Sequence, residues 1–269
     1  MTTRQEASGD QAAGESLRSR RGSLATGVRI SAHQGGGELA RPGSYEAYEQ
    51  SAATGAEYVE FDIRRTLDGT LVVYHDYWAG RPGQPARLVA GLSYPELCQL
   101  AGYEVPLVRD VMELLAGRVV GHLDLKETGY EAEVIQMALA TFGPSSFVAT
   151  TLEDSSIAAI RRSFPEVQTA LSLGLHRKAF PWWRWVSVRA SELFPLDRIR
   201  RCGAHWVAVN YQLARAGVTH ACHRNGIGVM VWTVDSDPLI DQFISDQRVD
   251  VLITNRPQHA ATRRAALGA

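Results

Sequence analysis

From Val28 onward, short apolar runs alternate with stretches in which apolar residues recur every three to four positions. The first pattern predicts strands and the second amphipathic helices. We place strands at 28–33, 57–62, 118–125, 146–150, 167–173, 205–210, 228–233 and 249–254. Helices are expected at 43–54, 93–101, 109–116, 130–142, 153–163, 212–224, 236–245 and 256–266, several ending at stop signals such as Phe142-Gly143-Pro144 and Asn225-Gly226. Eight such βα units make a closed α/β barrel, the (β/α)₈ or TIM barrel, in one domain over residues 28–269. An open doubly wound sheet would need a glycine fingerprint after its first strand, and Gly35-Gly36-Gly37 lacks the spacing. Residues 1–27 are small and polar and carry no apolar pattern, so they read as a disordered tail.

Within this frame, residues 57–76 form the densest stretch. Leu67-Asp68-Gly69-Thr70 separates two apolar runs and predicts a hairpin. Strand alternation puts Tyr58, Glu60 and Asp62 on one face and Val59, Phe61 and Ile63 on the other. Two carboxylates at successive positions on one face lie about 7 Å apart at the backbone, within reach of a shared cation. Left unpaired, they would repel and resist ionisation. The returning arm delivers His75 and Asp76, which suits acid/base chemistry on a charged substrate.

A barrel requires its chemistry at the carboxyl ends of its strands. His33 ends the first, Glu60 and Asp62 the second, Asp124 and Lys126 the third, while Asn210, Trp232 and Thr254 end the last three. Composition narrows the partners. Net charge of −1 and a pI near 6.7 argue against nucleic acid. No run reaches the length of a membrane span and no signal-like segment opens the chain, which points to a cytoplasmic protein. Cys98, Cys202 and Cys222 fit no metal spacing and read as idle thiols in a reducing compartment.

The ordered set resembles the glycerophosphodiester phosphodiesterase family of the phospholipase-C-like barrel superfamily over nearly all of residues 29–260. His33-Gln34-Gly35 stands for the family's His-Arg-Gly, and residues 55–62 for its Gly-Ala-Asp-x-Ile-Glu-x-Asp strand. Residues 66–76 follow its Thr-x-Asp-Gly-x-x-Val-x-His-Asp hairpin. Asp124-Leu125-Lys126 matches Glu-x-Lys, residues 232–235 match Trp-Thr-Val-Asn, and residues 253–257 match Ile-Thr-Asp-x-Pro. The resemblance implies one divalent cation, Mg²⁺ or Ca²⁺, on Glu60, Asp62 and Asp124. It also implies His33 and His75 as acid/base pair, with Lys126, Trp232 and Gln34 facing the phosphodiester. The expected substrate is a small-molecule or lipid phosphodiester, whose neighbouring hydroxyl attacks to release an alcohol and a cyclic phosphate that water then opens to a phosphomonoester.

Four departures stand out. Gln34 replaces an arginine, Pro42-Gly43-Ser44-Tyr45 replaces Pro-Glu-Asn-Thr, Asp124 shortens a ligand, and Asp235 puts a charge where the family has an amide. Arg41 and Arg64 could supply the cation missing at Gln34. Asp-x-Lys and the missing Pro-Glu-Asn-Thr also occur in sphingomyelinase D-like transferases, which release a cyclic phosphate. A third reading is a barrel that binds phosphate esters without turnover. Lys126 alone would also suit a Schiff-base enzyme. His122 reads as core, the paired arginines 161–162, 200–201 and 263–264 as solvated, and Trp182, Trp183 and Trp185 either as a peripheral membrane anchor or as a packed lid.

Overall fold

A computed structural model describes residues 27–81, 83, 85–174 and 190–268. Residues 1–26 and Trp182, Trp183 and Trp185, where the disordered tail and the tryptophan anchor or lid are expected, lie outside the described residues. In chain order the strands are β1 (Arg29–Ala32), β2 (Tyr58–Arg65), β3 (Leu71–Val73), β4 (Trp78–Ala79), β5 (Arg87–Leu88), β6 (Val120–Leu125), β7 (Phe147–Thr151), β8 (Gln168–Leu173), β9 (Trp206–Asn210), β10 (Gly228–Trp232) and β11 (Val251–Thr254). Among the described residues, β1, β2 and β6 to β11 form a parallel ring, with β3 antiparallel on β2. Closure is made by β1, which pairs with β11 through Ala32 and Thr254 and with β2 through Ala32 and Val59. The eight-stranded TIM barrel is therefore present.

The helices that cover it include α1 (Tyr45–Ser51), α2 (Tyr94–Ala101), α3 (Val108–Leu115), α4 (Glu131–Phe142), α5 (Asp154–Ser163), α6 (Leu196–Cys202), α7 (Thr219–Arg224), α8 (Asp237–Ile244) and α9 (Pro257–Leu267). Local chemistry starts and stops them. Ser44 caps α1 by accepting from Ala47 N–H, and α2 opens with a Ser93–Glu96 capping box and ends on left-handed Gly102. The single helix expected at 212–224 is broken. Residues Ala214–Val218 form a π turn around Gly217, whose φ of 106° no continuous helix accepts.

Alternation along β2 works as expected. Phe61 and Ile63 point outward into the layer under the helices, whereas Tyr58 joins Val148, Trp206, Met230 and Ile253 inside the ring. Truncating fully buried Phe61 to alanine would cost about 3–5 kcal/mol. The Trp206 ring fills the barrel so closely that a Cβ on Gly228 would lie 2.2 Å from it, so position 228 admits only glycine. Tyr58 and Trp206 plug the amino-terminal end, and the polar groups of β2 and β6 sit above them.

One expectation about charge changes here. Arg263 pairs with Asp237 and Asp241, and Arg264 bridges Glu57 and the Val28 carbonyl, so this arginine pair ties α9 to the barrel rather than standing in solvent. The stretch after β3 adds the β4–β5 ribbon and α2, which close over their own small core of Val72, Ala79, Val89, Leu92, Leu97 and Val105. No period in the sequence announced the two-residue strands.

Candidate active site

Parallel pairing of β2 and β6 sets Glu60 level with His122 and Asp62 level with Asp124. Because alternate residues share a face, the next polar layer above the apolar floor consists of carboxylates. One oxygen from each of Glu60, Asp62 and Asp124 lies within 4.8 Å of the other two. Glu60 and Asp62 are buried and Asp124 half-buried. Burial, and then the charges of Asp62 and Asp124, push the Glu60 carboxyl well above the usual range. Burial also opposes charge on Asp62, but Lys126 and both histidines outweigh it and hold that carboxyl below its ordinary value. Such a cluster of hard oxygen donors with no sulfur could hold a metal cation, which would relieve the repulsion on Glu60.

Lys126 reaches this cluster from the end of β6. Its Nζ lies 2.7 Å from Asp62 Oδ1 and also contacts Asp124 Oδ2. Burial alone would lower its pKa, yet Asp124, Asp62 and Glu60 together raise it above the ordinary value. A Schiff-base lysine must shed its proton to attack, so this environment argues against that chemistry.

The two histidines face each other over the carboxylates, with ring centroids 6.5 Å apart and planes at 76°. His33 starts a tight turn after β1, and Gln34 next to it takes φ +53°, the only positive value among described non-glycine residues. This left-handed step turns the Gln34 backbone N–H back to donate to Glu60 Oε2 at 2.9 Å. His33 Nδ1 is 2.7 Å from Asn255 Oδ1, at the end of β11. Burial pushes its imidazole below 6.5, against the pull of Asp62 and the Asn255 bond, and so favours the neutral ring. His75 comes from the loop after β3 and is more open, with Nδ1 2.8 Å from Asp76 Oδ1. No hydrogen bond ties either Nε2 among the described residues.

A cavity of about 120 Å³ opens beside His75, lined by Gln34, Arg41, Tyr48, Asp62, His75 and Tyr103 among others. Of the two arginines considered from sequence, Arg64 is not available. It is 1% exposed, donates twice to the His75 carbonyl at 3.2 and 2.9 Å, and pairs with Glu127 at 2.6 Å. Arg41 does line the cavity, its guanidinium 3.9 Å above the Tyr103 ring. Trp232 sits at the end of β10 against Gly174, where a Cβ would meet its ring at 3.0 Å. Its buried Nε1 has no hydrogen-bond partner among the described residues. His122 is core, as expected: it lies below the site between Ser31 Oγ at 3.2 Å and Thr150 Oγ1 at 2.8 Å.

Sequence reasoning missed three groups here. Tyr48 lines the cavity and has a buried hydroxyl without a hydrogen-bond partner among the described residues, Tyr103 carries Arg41, and Asn255 touches His33. For Asn255 a signal did exist, since it lies in a quoted motif at a strand end.

Residues 33–259 match the Glycerophosphoryl diester phosphodiesterase family. A glycerophosphodiester phosphodiesterase of Caldanaerobacter subterraneus subsp. tengcongensis is 22% identical over 247 residues, covering 85% of this chain and 94% of that protein. Among solved structures, a glycerophosphodiester phosphodiesterase from Parabacteroides distasonis superposes with a TM-score of 0.71 at 19% identity, covering 90% of this chain and 98% of that one. A phosphodiesterase from Oleispira antarctica, in complex with the product sn-glycerol-3-phosphate, has a TM-score of 0.65 at 16% identity, covering 90% and 97%.

Proposed function

Since the chain belongs to the glycerophosphoryl diester phosphodiesterase family, we propose that it is a divalent-metal-dependent phosphodiesterase. It cleaves a glycerophosphodiester, or a related lipid phosphodiester, to a phosphomonoester and an alcohol. One observation carries the reading: three convergent carboxylates lie beneath a facing pair of histidines at the carboxyl pole of the barrel. Glu60, Asp62 and Asp124 would hold the cation, which when bound supplies Lewis acidity toward a phosphoryl oxygen.

The chain's own groups then divide the proton work. His33, favoured as a neutral ring, takes the proton of the attacking hydroxyl at Nε2. The hydroxyl oxygen of the substrate bonds to phosphorus, the bond from phosphorus to the leaving oxygen breaks, and His75 supplies the proton that oxygen needs; water then adds to the cyclic phosphate so formed and opens it to the phosphomonoester. Lys126 holds Asp62 and Asp124 in place and offsets their charge. Three carboxylates set against one lysine and a divalent ion leave no positive charge over for an anionic substrate. Arg41, which has no ion-pair partner among the described residues, provides it in place of Gln34. Trp232 forms a wall against the organic part.

Product analysis with glycerophosphocholine and lysophosphatidylcholine tests the reading, using protein loaded with Mg²⁺ or Ca²⁺. Hydrolysis is expected to give a phosphomonoester and to stop when a chelator is added. Accumulation of a cyclic phosphate would instead support a transferase. Tight phosphate-ester binding with no product from either compound would reduce the barrel to a binder. Arg41→Ala should lower kcat/KM about 100-fold, the usual order for one lost charge-stabilising donor.

A further inference from the structure

Barrel closure sets Ala32 level with Thr254, so the next residue along each strand, His33 and Asn255, meet although 222 positions separate them. A side-chain amide can offer a neighbour either its oxygen or its nitrogen, and the surrounding hydrogen bonds decide which. Here Asp235 decides. Its carboxylate can only accept: Oδ2 takes the Asn255 Nδ2–H at 2.8 Å, and Oδ1 takes the Asn255 backbone N–H at 2.8 Å and the Thr254 hydroxyl at 3.0 Å. With Nδ2 committed, Oδ1 is the atom facing His33 Nδ1. A carbonyl oxygen cannot donate, so Nδ1 must carry the hydrogen. The lone pair of the neutral ring is then on Nε2.

Asp235 and Asn255 are also two of the positions at which this chain departs from the motifs it resembles, and each holds the side-chain type expected of the other. That they touch makes the two departures one exchange.

We infer that Asp235 is a positioning residue which, through Asn255, holds His33 in the Nδ1–H tautomer with Nε2 free to act as the base. The inference rests on the phosphodiesterase reading for the source of the proton. In that step the proton passes from the attacking hydroxyl to Nε2, the oxygen's electron pair forms the bond to phosphorus, and Nδ1 keeps its hydrogen. Asn255 and Asp235 exchange no proton. The carboxylate stands one residue away from the ring, so His33 is oriented without a direct ion pair that would favour its charged form.

Long-range ¹H–¹⁵N NMR of the labelled protein, with neither metal nor substrate, reads which ring nitrogen of neutral His33 bears hydrogen. Wild type should show the Nδ1–H form. Asp235→Asn leaves two amides free to turn over and should give a mixture or the Nε2–H form. Its kcat should fall about 100-fold on glycerophosphocholine with KM nearly unchanged, because a wrong tautomer harms the step and not the binding. The double variant Asp235→Asn/Asn255→Asp should restore the Nδ1–H form and return kcat to within about tenfold of wild type. An Nε2–H ring in wild type overturns the inference, as does an Asp235→Asn protein that keeps both tautomer and kcat, or a double variant no better than the single one. The wild-type spectrum decides even if a variant does not fold. It also separates the two ideas, since a wild type that turns over no phosphodiester ends the functional reading and leaves the tautomer result standing.

Discussion

His33 grows from the end of a strand paired on both sides, whereas His75 follows the outer arm of a hairpin. β1 has β11 along one edge and β2 along the other. β3 has β2 along one edge and meets a single bridge, Val72 with Leu107, on its other side. The side chains differ in the same sense. His33 is partly buried and fixed by an amide that is itself held, while the His75 side chain is 51% exposed and its partner Asp76 72%. What anchors the His75 side is its backbone, through the two Arg64 bonds to its carbonyl and the Arg64 stack on Tyr77 at 4.0 Å. One histidine is held through its ring and the other through its main chain. Proton transfer on the two sides should therefore tolerate damage differently.

The sharpest way to break this contrast is to remove each ring and offer a replacement. His33→Ala should lower kcat about 10³-fold and His75→Ala about 10²-fold, within the usual span for general acid/base groups. Added imidazole should recover at least about tenfold for His75→Ala, where solvent reaches the vacated space, and little for His33→Ala. Steady-state kinetics across an imidazole series checks this, and equal recovery in both variants would erase the distinction.

Next in size is the anchor. Arg64→Ala strands the half-buried Glu127 and frees the His75 carbonyl, and should cost about 2–3 kcal/mol in urea denaturation. Arg65→Ala, whose ion pair with Glu133 is largely exposed, should cost less than about 1 kcal/mol. Similar midpoints for the two variants would mean that the Arg64 bonds do not hold the rim.

A smaller effect tests the floor on the His33 side. Burial pushes His122 down to about 3 from an ordinary 6.5. Between those values the unfolded chain binds the extra proton, so the stability that His122 contributes is full above pH 6.5 and is lost as pH falls toward 3. Thermal melts of His122→Gln should consequently depend less steeply on pH in that window than those of wild type. Parallel curves would show that His122 is not held neutral.

The smallest change should raise stability. Tyr48 buries a hydroxyl with no partner among the described residues, so Tyr48→Phe should add about 1 kcal/mol and raise the melting temperature by about 2–4 °C. A lower melting temperature would show that the hydroxyl is satisfied.

The barrel and the carboxylate cluster were legible because both follow from a period of two. Glu60 and Asp62 share parity with inward Tyr58, and parallel pairing carries that level across to Asp124. Arg64 shows where parity stops. It continues the same face, so the pattern admits it as a phosphate ligand, but the hairpin brings the His75 carbonyl within its reach first. Whether a long side chain serves a ligand or its own backbone depends on that distance, which residue order does not carry. The same holds for Asp235 and Asn255: the first stood out as a departure and the second lay in a quoted motif, and only the pairing of β10 with β11 shows that they meet.

Closure by β1 and β11 also sets a timetable. A ribosome adding about 5–20 residues per second needs roughly 10 to 45 s to pass from His33 to Asn255, the 222 positions between them. The codons for Glu60, Asp62 and Asp124 are read well before that interval ends, so a nascent chain possesses its acidic grip long before its base has an orientation. A chain cut short after Asp124 but ahead of Val251–Thr254 carries the carboxylates and both histidines, with nothing to tell His33 which nitrogen should stay bare.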